Sequence, residues 1–151
     1  MNYIKTLPGA IEPTRAHPTD SGFDLYYPNG IDGVRLFPFD EPTMIDIGIA
    51  IQLPNGYDGT IKPRSSLNKC GVLLLNSPID NSYRGSLKVL LMYLCPQNSA
   101  KHEHPGDSFL IKPGDRIAQL VIRPVAYPHL TLVDKLSETK RGVGGFGSTG
   151  R

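Results

Sequence analysis

Prolines at positions 8, 13, 18, 28, 38, 42, 54, 63, 78, 96, 105, 113, 124 and 128 leave this 151-residue chain few windows long enough for a helix of three turns. Short strands fit between them instead. The clearest is Ile45-Asp46-Ile47-Gly48-Ile49-Ala50-Ile51, where Ile takes every second position and small or polar residues fill the others, the period of a half-buried strand. Further strands are predicted over 3–7, 34–39, 59–62, 72–75, 87–94, 109–112, 117–123 and 130–133. Many short strands at about ten-residue spacing specify an all-β sandwich, jelly roll or barrel. Only residues 65–69 suit a helical turn or two, with Gly71 as the stop.

The length predicts one domain, able to bury about two-thirds of its unfolded surface without disulfides or a structural metal. Cys70 and Cys95 are too far apart for a CxxC redox site and read as free thiols in a reducing compartment. No apolar run approaches the roughly 18 residues of a membrane span, and MNYIKTLPGA lacks a secretory pattern. The expected location is the cytoplasm, that of the host if the chain is viral or phage-encoded. A net charge of +2 with basic residues dispersed argues against a nucleic-acid polymer as partner.

Four segments carry chemistry. The last ten residues, GVGGFGSTGR, hold five glycines and a single large apolar ring. Such a tail either frays or covers a nucleotide. Its glycines offer backbone N–H groups at close range, Ser148 and Thr149 offer hydroxyls, Arg141 and Arg151 offer charge, and Phe146 offers a flat face. Lys62-Pro63-Arg64-Ser65-Ser66-Leu67 places a guanidinium and two hydroxyls at the start of the short helix, either as an anion site or as a Ser N-cap beside a solvated Arg. Ile79-Asp80-Asn81-Ser82-Tyr83-Arg84-Gly85 reads as a turn bearing a carboxylate and an aromatic, where Asp80 is either functional or an Asx-turn residue. Gly114-Asp115-Arg116-Ile117-Ala118-Gln119-Leu120 reads as a turn entering a strand. His102-Glu103-His104 invites a metal reading against that of a polar surface loop, with no third ligand in view.

Taken in order, these segments resemble the five motifs of the trimeric dUTP pyrophosphatases (dUTPases). TDSGFDLY at 19–26 is similar to the first, PRSSL at 63–67 to the second, residues 76–85 to the third, GDRIAQL at 114–120 to the fourth and RGVGGFGSTG at 141–150 to the fifth. The resemblance implies a distorted jelly-roll or β-clip-like barrel over 1–136, one short helix, and a flexible Gly-rich arm over 137–151 that covers an active site. It implies a homotrimer with interfacial sites that hydrolyses dUTP to dUMP and pyrophosphate. Asp80 would be the general base for the water attacking the α-phosphorus, and Mg2+ would sit on the triphosphate with no direct protein ligand. Arg64, Ser65 and Gln119 would bind the phosphate chain, Ser66 would be a further substrate-binding residue beside them, and Asp24 would hold either Arg64 or a metal-bound water. Tyr83 would pack on the deoxyribose, while Asn76, Ile79 and Lys88 would line the uracil site. Arg141, Ser148 and Thr149 would cap the γ-phosphate, with Phe146 stacked on the base and Gly147 between them as a further substrate-binding residue.

This chain departs from the family pattern mainly near the base. Only Ser77, Pro78 and Ile79 separate Asn76 from Asp80, Ser66 replaces a Gly, Ser82 an acid and Tyr93 an Asn, and 97–108 resembles an insertion. Two alternatives stand beside the hydrolase. One is a related dCTP deaminase, whose catalytic Glu would fall at Leu90, although no carboxylate occurs between Ser82 and Asn98. The other is a nucleotide sensor that regulates a protein partner.

Overall fold

The computed structural model describes residues 1–94 and 108–144. Ten strands and one short helix follow in the order β1 (Asn2–Lys5), β2 (Gly22–Tyr26), β3 (Val34–Leu36), β4 (Thr43–Gln52), β5 (Tyr57–Lys62), α1 (Ser65–Lys69), β6 (Val72–Leu74), β7 (Pro78–Ile79), β8 (Ser86–Tyr93), β9 (Phe109–Ile111) and β10 (Arg116–Pro124). They form two four-stranded sheets, ordered β1-β4-β8-β6 and β2-β10-β5-β7, and a small β3-β9 pair. The pairings are antiparallel, as the short strands and frequent turns require. Both sheets and the small pair contribute to one apolar cluster, including Ile47, Ile49, Val89 and Leu91 from the first sheet and Leu25, Ile61, Ile117 and Leu120 from the second. Each such aliphatic side chain, fully withdrawn from water, contributes about 1.5–3 kcal/mol relative to exposure. This is the mostly β, jelly-roll-like fold expected.

The Ile-rich strand is more deeply placed than its period suggests. The isoleucines of β4 are buried as expected, but Gly48 and Ala50 are buried too, because the N-terminal segment packs on the opposite face. A Cβ at Gly48 would lie 2.9 Å from the Leu7 Cβ and 2.8 Å from that of Ala10, and φ there is +70°. Gly48 sits where the β4–β8 register shifts between Asp46 and Ala50. Asp46 steadies that bulge by accepting the Gly48 N–H at 2.8 Å and the Ser86 hydroxyl.

Proline and glycine delimit α1. Pro63 precedes it, and Gly71 follows its last turn at φ +83°, the left-handed stop expected there. The N-cap is Arg64 in extended backbone with no side-chain cap, so Ser65 is the first helical residue rather than the capping one. Residues 130–133 are not a strand. Leu130 and Leu132 are each 99% exposed, because their alternating pattern meets no partner strand among the described residues. Two strands that sequence periodicity passed over, β2 and β7, lie within the first and third motifs. Cys70 is a half-buried free thiol after α1, and Cys95 lies outside the described residues. No helix among the described residues is long and apolar enough to cross a membrane.

Candidate active site

Three adjacent segments of the second sheet bring Asp24, Gln119 and Arg64 together. Gln119 in the central strand β10 lies opposite Asp24 of β2 on one side and Lys62 of β5 on the other. β5 then runs through Pro63 into Arg64 and α1. The Asp24 carboxylate receives Arg64 Nε at 3.1 Å on one oxygen and Arg116 Nη1 at 3.2 Å on the other. One carboxylate shared by two guanidiniums leaves the cluster with a net positive charge, suited to an anionic ligand. The fork is held from behind: Arg64 Nη1 donates to the Arg116 carbonyl at 3.2 Å, and Gln119 Nε2 donates to the Pro63 carbonyl at 3.0 Å. Gly22 is small for the same reason, since a Cβ there would fall 2.9 Å from Gln119 Oε1. Arg64, Ser66, Gly114 and Arg116 line a cavity of about 360 Å³ here. Ser65 is exposed beside it on the first turn of α1.

A second cavity, of about 250 Å³, is walled by Asn76, Pro78, Ile79, Asp80, Tyr83 and Lys88 with Ile61 and Leu87. Its opening follows from a side chain replacing backbone in the sheet. β6 pairs with β8 as far as Leu74↔Leu91, and the Leu75 N–H still reaches the Leu90 carbonyl at 2.9 Å. Beyond that point the Asn76 amide continues the ladder, accepting the Leu90 N–H at 2.9 Å and donating to the Lys88 carbonyl at 2.7 Å. The main chain is then released to pair elsewhere, and Ile79 of β7 sits opposite Gly59 of β5. The gap between the diverging strands is the cavity. Asn76 keeps one amide N–H and one carbonyl lone pair beyond those two bonds.

Ile79 is buried in the wall, while Asp80 and Lys88 are exposed. The Tyr83 hydroxyl donates to the Ser86 carbonyl at 3.0 Å, which fixes the ring. That ring lies against Gly85, and a Cβ at Gly85 would collide with its hydroxyl end. An apolar face is therefore presented beside Asp80 at the cavity wall.

The two groups of residues line different cavities of the single chain. Arg141 belongs to neither. It lies in an exposed segment, with its Nε on the Gly144 carbonyl at 2.9 Å. Phe146, Gly147, Ser148 and Thr149 lie outside the described residues, as do His102, Glu103, His104 and nearly all of the 97–108 stretch. Sequence reasoning passed over Arg116 as a site residue. Its signal was present in GDRIAQL, but its sharing of Asp24 depends on the β2–β10 register.

The comparisons with known proteins converge. The dUTPase family model matches residues 9–150. A deoxyuridine 5'-triphosphate nucleotidohydrolase from Picosynechococcus is 41% identical over 153 residues, covering 99% of this chain and 98% of the relative. The Staphylococcus bacteriophage 80alpha dUTPase with dUPNHPP superposes with a TM-score of 0.85 at 29% identity, covering 99% of this chain and 98% of the other. A mutant dUTPase from Staphylococcus aureus phage phi11, whose structure contains a structural Mg(II) ion, shares the fold with a TM-score of 0.75 at 24% identity, over 89% of this chain and 96% of that one. With a family model spanning nearly its whole length and the relatives to match, this chain belongs to the dUTPase family.

Proposed function

We propose that the slot at Asn76 to Lys88 and the guanidinium cluster at Asp24 are two halves of one dUTP site, completed between subunits of a homotrimer. The activity is that of the family, hydrolysis of dUTP to dUMP and pyrophosphate. The observation that carries the assignment of roles is the slot itself, with Tyr83 on one wall, the Asn76 amide at the parted strands and the Asp80 carboxylate at its edge.

Uracil enters the slot, and the polar edges of the parted strands bind it. Cytosine would leave such edges mispaired, a mismatch that can cost a factor of roughly 10⁴. Thymine is excluded more weakly, by crowding at its methyl. The Tyr83 ring packs on the deoxyribose where an added 2'-hydroxyl has no room. Asp80 orients a water and takes its proton as the oxygen attacks the α-phosphorus. Arg64, Ser65, Ser66 and Gln119 of another subunit hold the phosphate chain in line and stabilise the charge that develops there. The arm over 137–151 then closes the site, with Arg141, Gly147, Ser148 and Thr149 on the γ-phosphate and Phe146 on the base.

Members of the dUTPase family typically use Mg2+. The residues here fit a cation delivered with the triphosphate. Among the described residues no group of three His, Cys, Asp or Glu side chains could hold one, and both Asp24 oxygens face guanidiniums. When bound, Mg2+ neutralises phosphate charge and favours departure of pyrophosphate. Deamination finds no support, because Leu90, the position that would need a Glu, lies in β8 with its N–H on Asn76. The proposed location is the cytoplasm, where a soluble nucleotide pool would supply the substrate.

The interfacial arrangement is tested by mixing. Arg64→Ala and Asp80→Asn are each expected to be nearly inactive, and co-refolded or exchanged subunits should recover activity that neither parent has. Sedimentation should give a trimer. Failure of the mixture to recover, with exchange demonstrated, would place both halves of the site on one chain.

A further inference from the structure

The Asp80 turn is held by a residue that no motif singles out. Asp80 follows β7 directly, and its turn is closed by the Tyr83 N–H on the Asp80 carbonyl at 3.0 Å. Among the described residues the Asp80 carboxylate is in no ion pair. Its reach into the slot therefore depends on where the backbone of the turn stands. Asn81, the next residue, is half-buried, and its Nδ2 donates to two carbonyls of the β4–β5 turn, Pro54 at 2.6 Å and Tyr57 at 3.0 Å. That uses both N–H groups of the amide. The receiving turn is itself tight, with Tyr57 N–H on the Pro54 carbonyl at 3.2 Å and Gly56 at φ +77°. From the other side, Arg84 Nη1 clamps the Asn81 carbonyl at 2.6 Å and the Tyr83 carbonyl at 2.8 Å.

We infer that Asn81 is a positioning residue that fixes the reach of Asp80 by pinning its turn to the Pro54–Tyr57 turn. This rests on the reading of Asp80 as the general base. The geometry is selective in chemistry as well as shape. The two N–H donors of a short planar amide match two neighbouring carbonyls, and an isosteric carboxylate would set oxygen against oxygen. A shift of about 1 Å in a reacting group can cost roughly 10²-fold in rate. Asn81 itself lines neither the base slot nor the phosphate cavity, and the Tyr83 ring is held separately by the Ser86 carbonyl, so substrate affinity should be largely independent of it.

The test compares Asn81→Ala and the isosteric Asn81→Asp with Asp80→Asn. It measures kcat and KM for dUTP with Mg2+ at each variant's pH optimum, together with dUMP affinity and melting temperature. The expected result is a kcat lower by about tenfold in Asn81→Ala and by roughly 10²-fold in Asn81→Asp, with KM and dUMP affinity within about threefold. Melting temperatures should stay within about 5 °C of the parent. Wild-type kcat in Asn81→Asp, or kcat and KM worsening together as the melting temperature falls, would overturn the positioning role. Activity in Asp80→Asn would instead overturn the assignment of the base on which it rests. The two failures are therefore distinguishable.

Discussion

Replacing Asp80 with Asn should cut kcat by roughly 10²–10⁴-fold while leaving dUTP binding nearly intact. The substitution keeps size and shape at the edge of the slot and removes only the ability to take a proton from water. A loss of that range corresponds to about 3–5 kcal/mol of transition-state stabilisation. Binding should survive because the slot is walled by Asn76, Pro78, Ile79, Tyr83, Leu87 and Lys88, none of which depends on the carboxylate. Stability should survive as well, since Asp80 is exposed and enters no ion pair among the described residues. Steady-state turnover, a dUTP binding isotherm and a melting curve check these three statements together.

Asp24→Asn should be nearly as damaging to catalysis, for a different reason. The carboxylate holds Arg64 and Arg116 at 3.1 and 3.2 Å, and neutralising it leaves two guanidiniums repelling each other with an amide between them. Two effects then compete. The cluster gains positive charge, which attracts a triphosphate, but Arg64 loses the anchor that aims its fork. The added charge attracts the bound triphosphate and its transition state alike, so it acts on KM and does not raise kcat. Orientation therefore dominates. We expect kcat to fall by roughly 10²-fold, while KM changes by less than about tenfold. Unfolding stability should change by only about 0–1 kcal/mol, because the Arg64 and Asp24 side chains retain 23% and 15% of their exposure and such pairs contribute little to folding. A large drop in melting temperature with normal turnover would show that the cluster holds the sheet rather than the phosphates.

The parts of this fold written in local pattern were readable from the residues. Ile at every second position marked β4, and the proline spacing ruled out a helical fold. Gly71 marked the end of α1. What escaped depended on neighbours. β7 is two residues long and begins with Pro, so only its pairing with Gly59 and Thr60 makes it a strand. Residues 130–133 alternate like a strand yet have none beside them among the described residues. The period of β4 calls for a half-buried strand, and nothing local to it announces that Leu7 and Ala10 will cover Gly48 on the other face. The site divides in the same way. Asp80, Arg64, Asn76 and Gln119 are proposed through motif resemblance, as residue types with evident chemistry, and the structure puts them on two cavities. The double role of Asp24 between two arginines and the grip of Asn81 on two carbonyls rest on strand register and backbone atoms, which no side-chain motif encodes.

Hydrolysis of dUTP in water enriched in oxygen-18, with the products separated and weighed by mass spectrometry, tests the central claim most directly. Attack of an Asp80-activated water on the α-phosphorus predicts one heavy oxygen in dUMP and none in pyrophosphate. Heavy oxygen in pyrophosphate, with dUMP unlabelled, would contradict it.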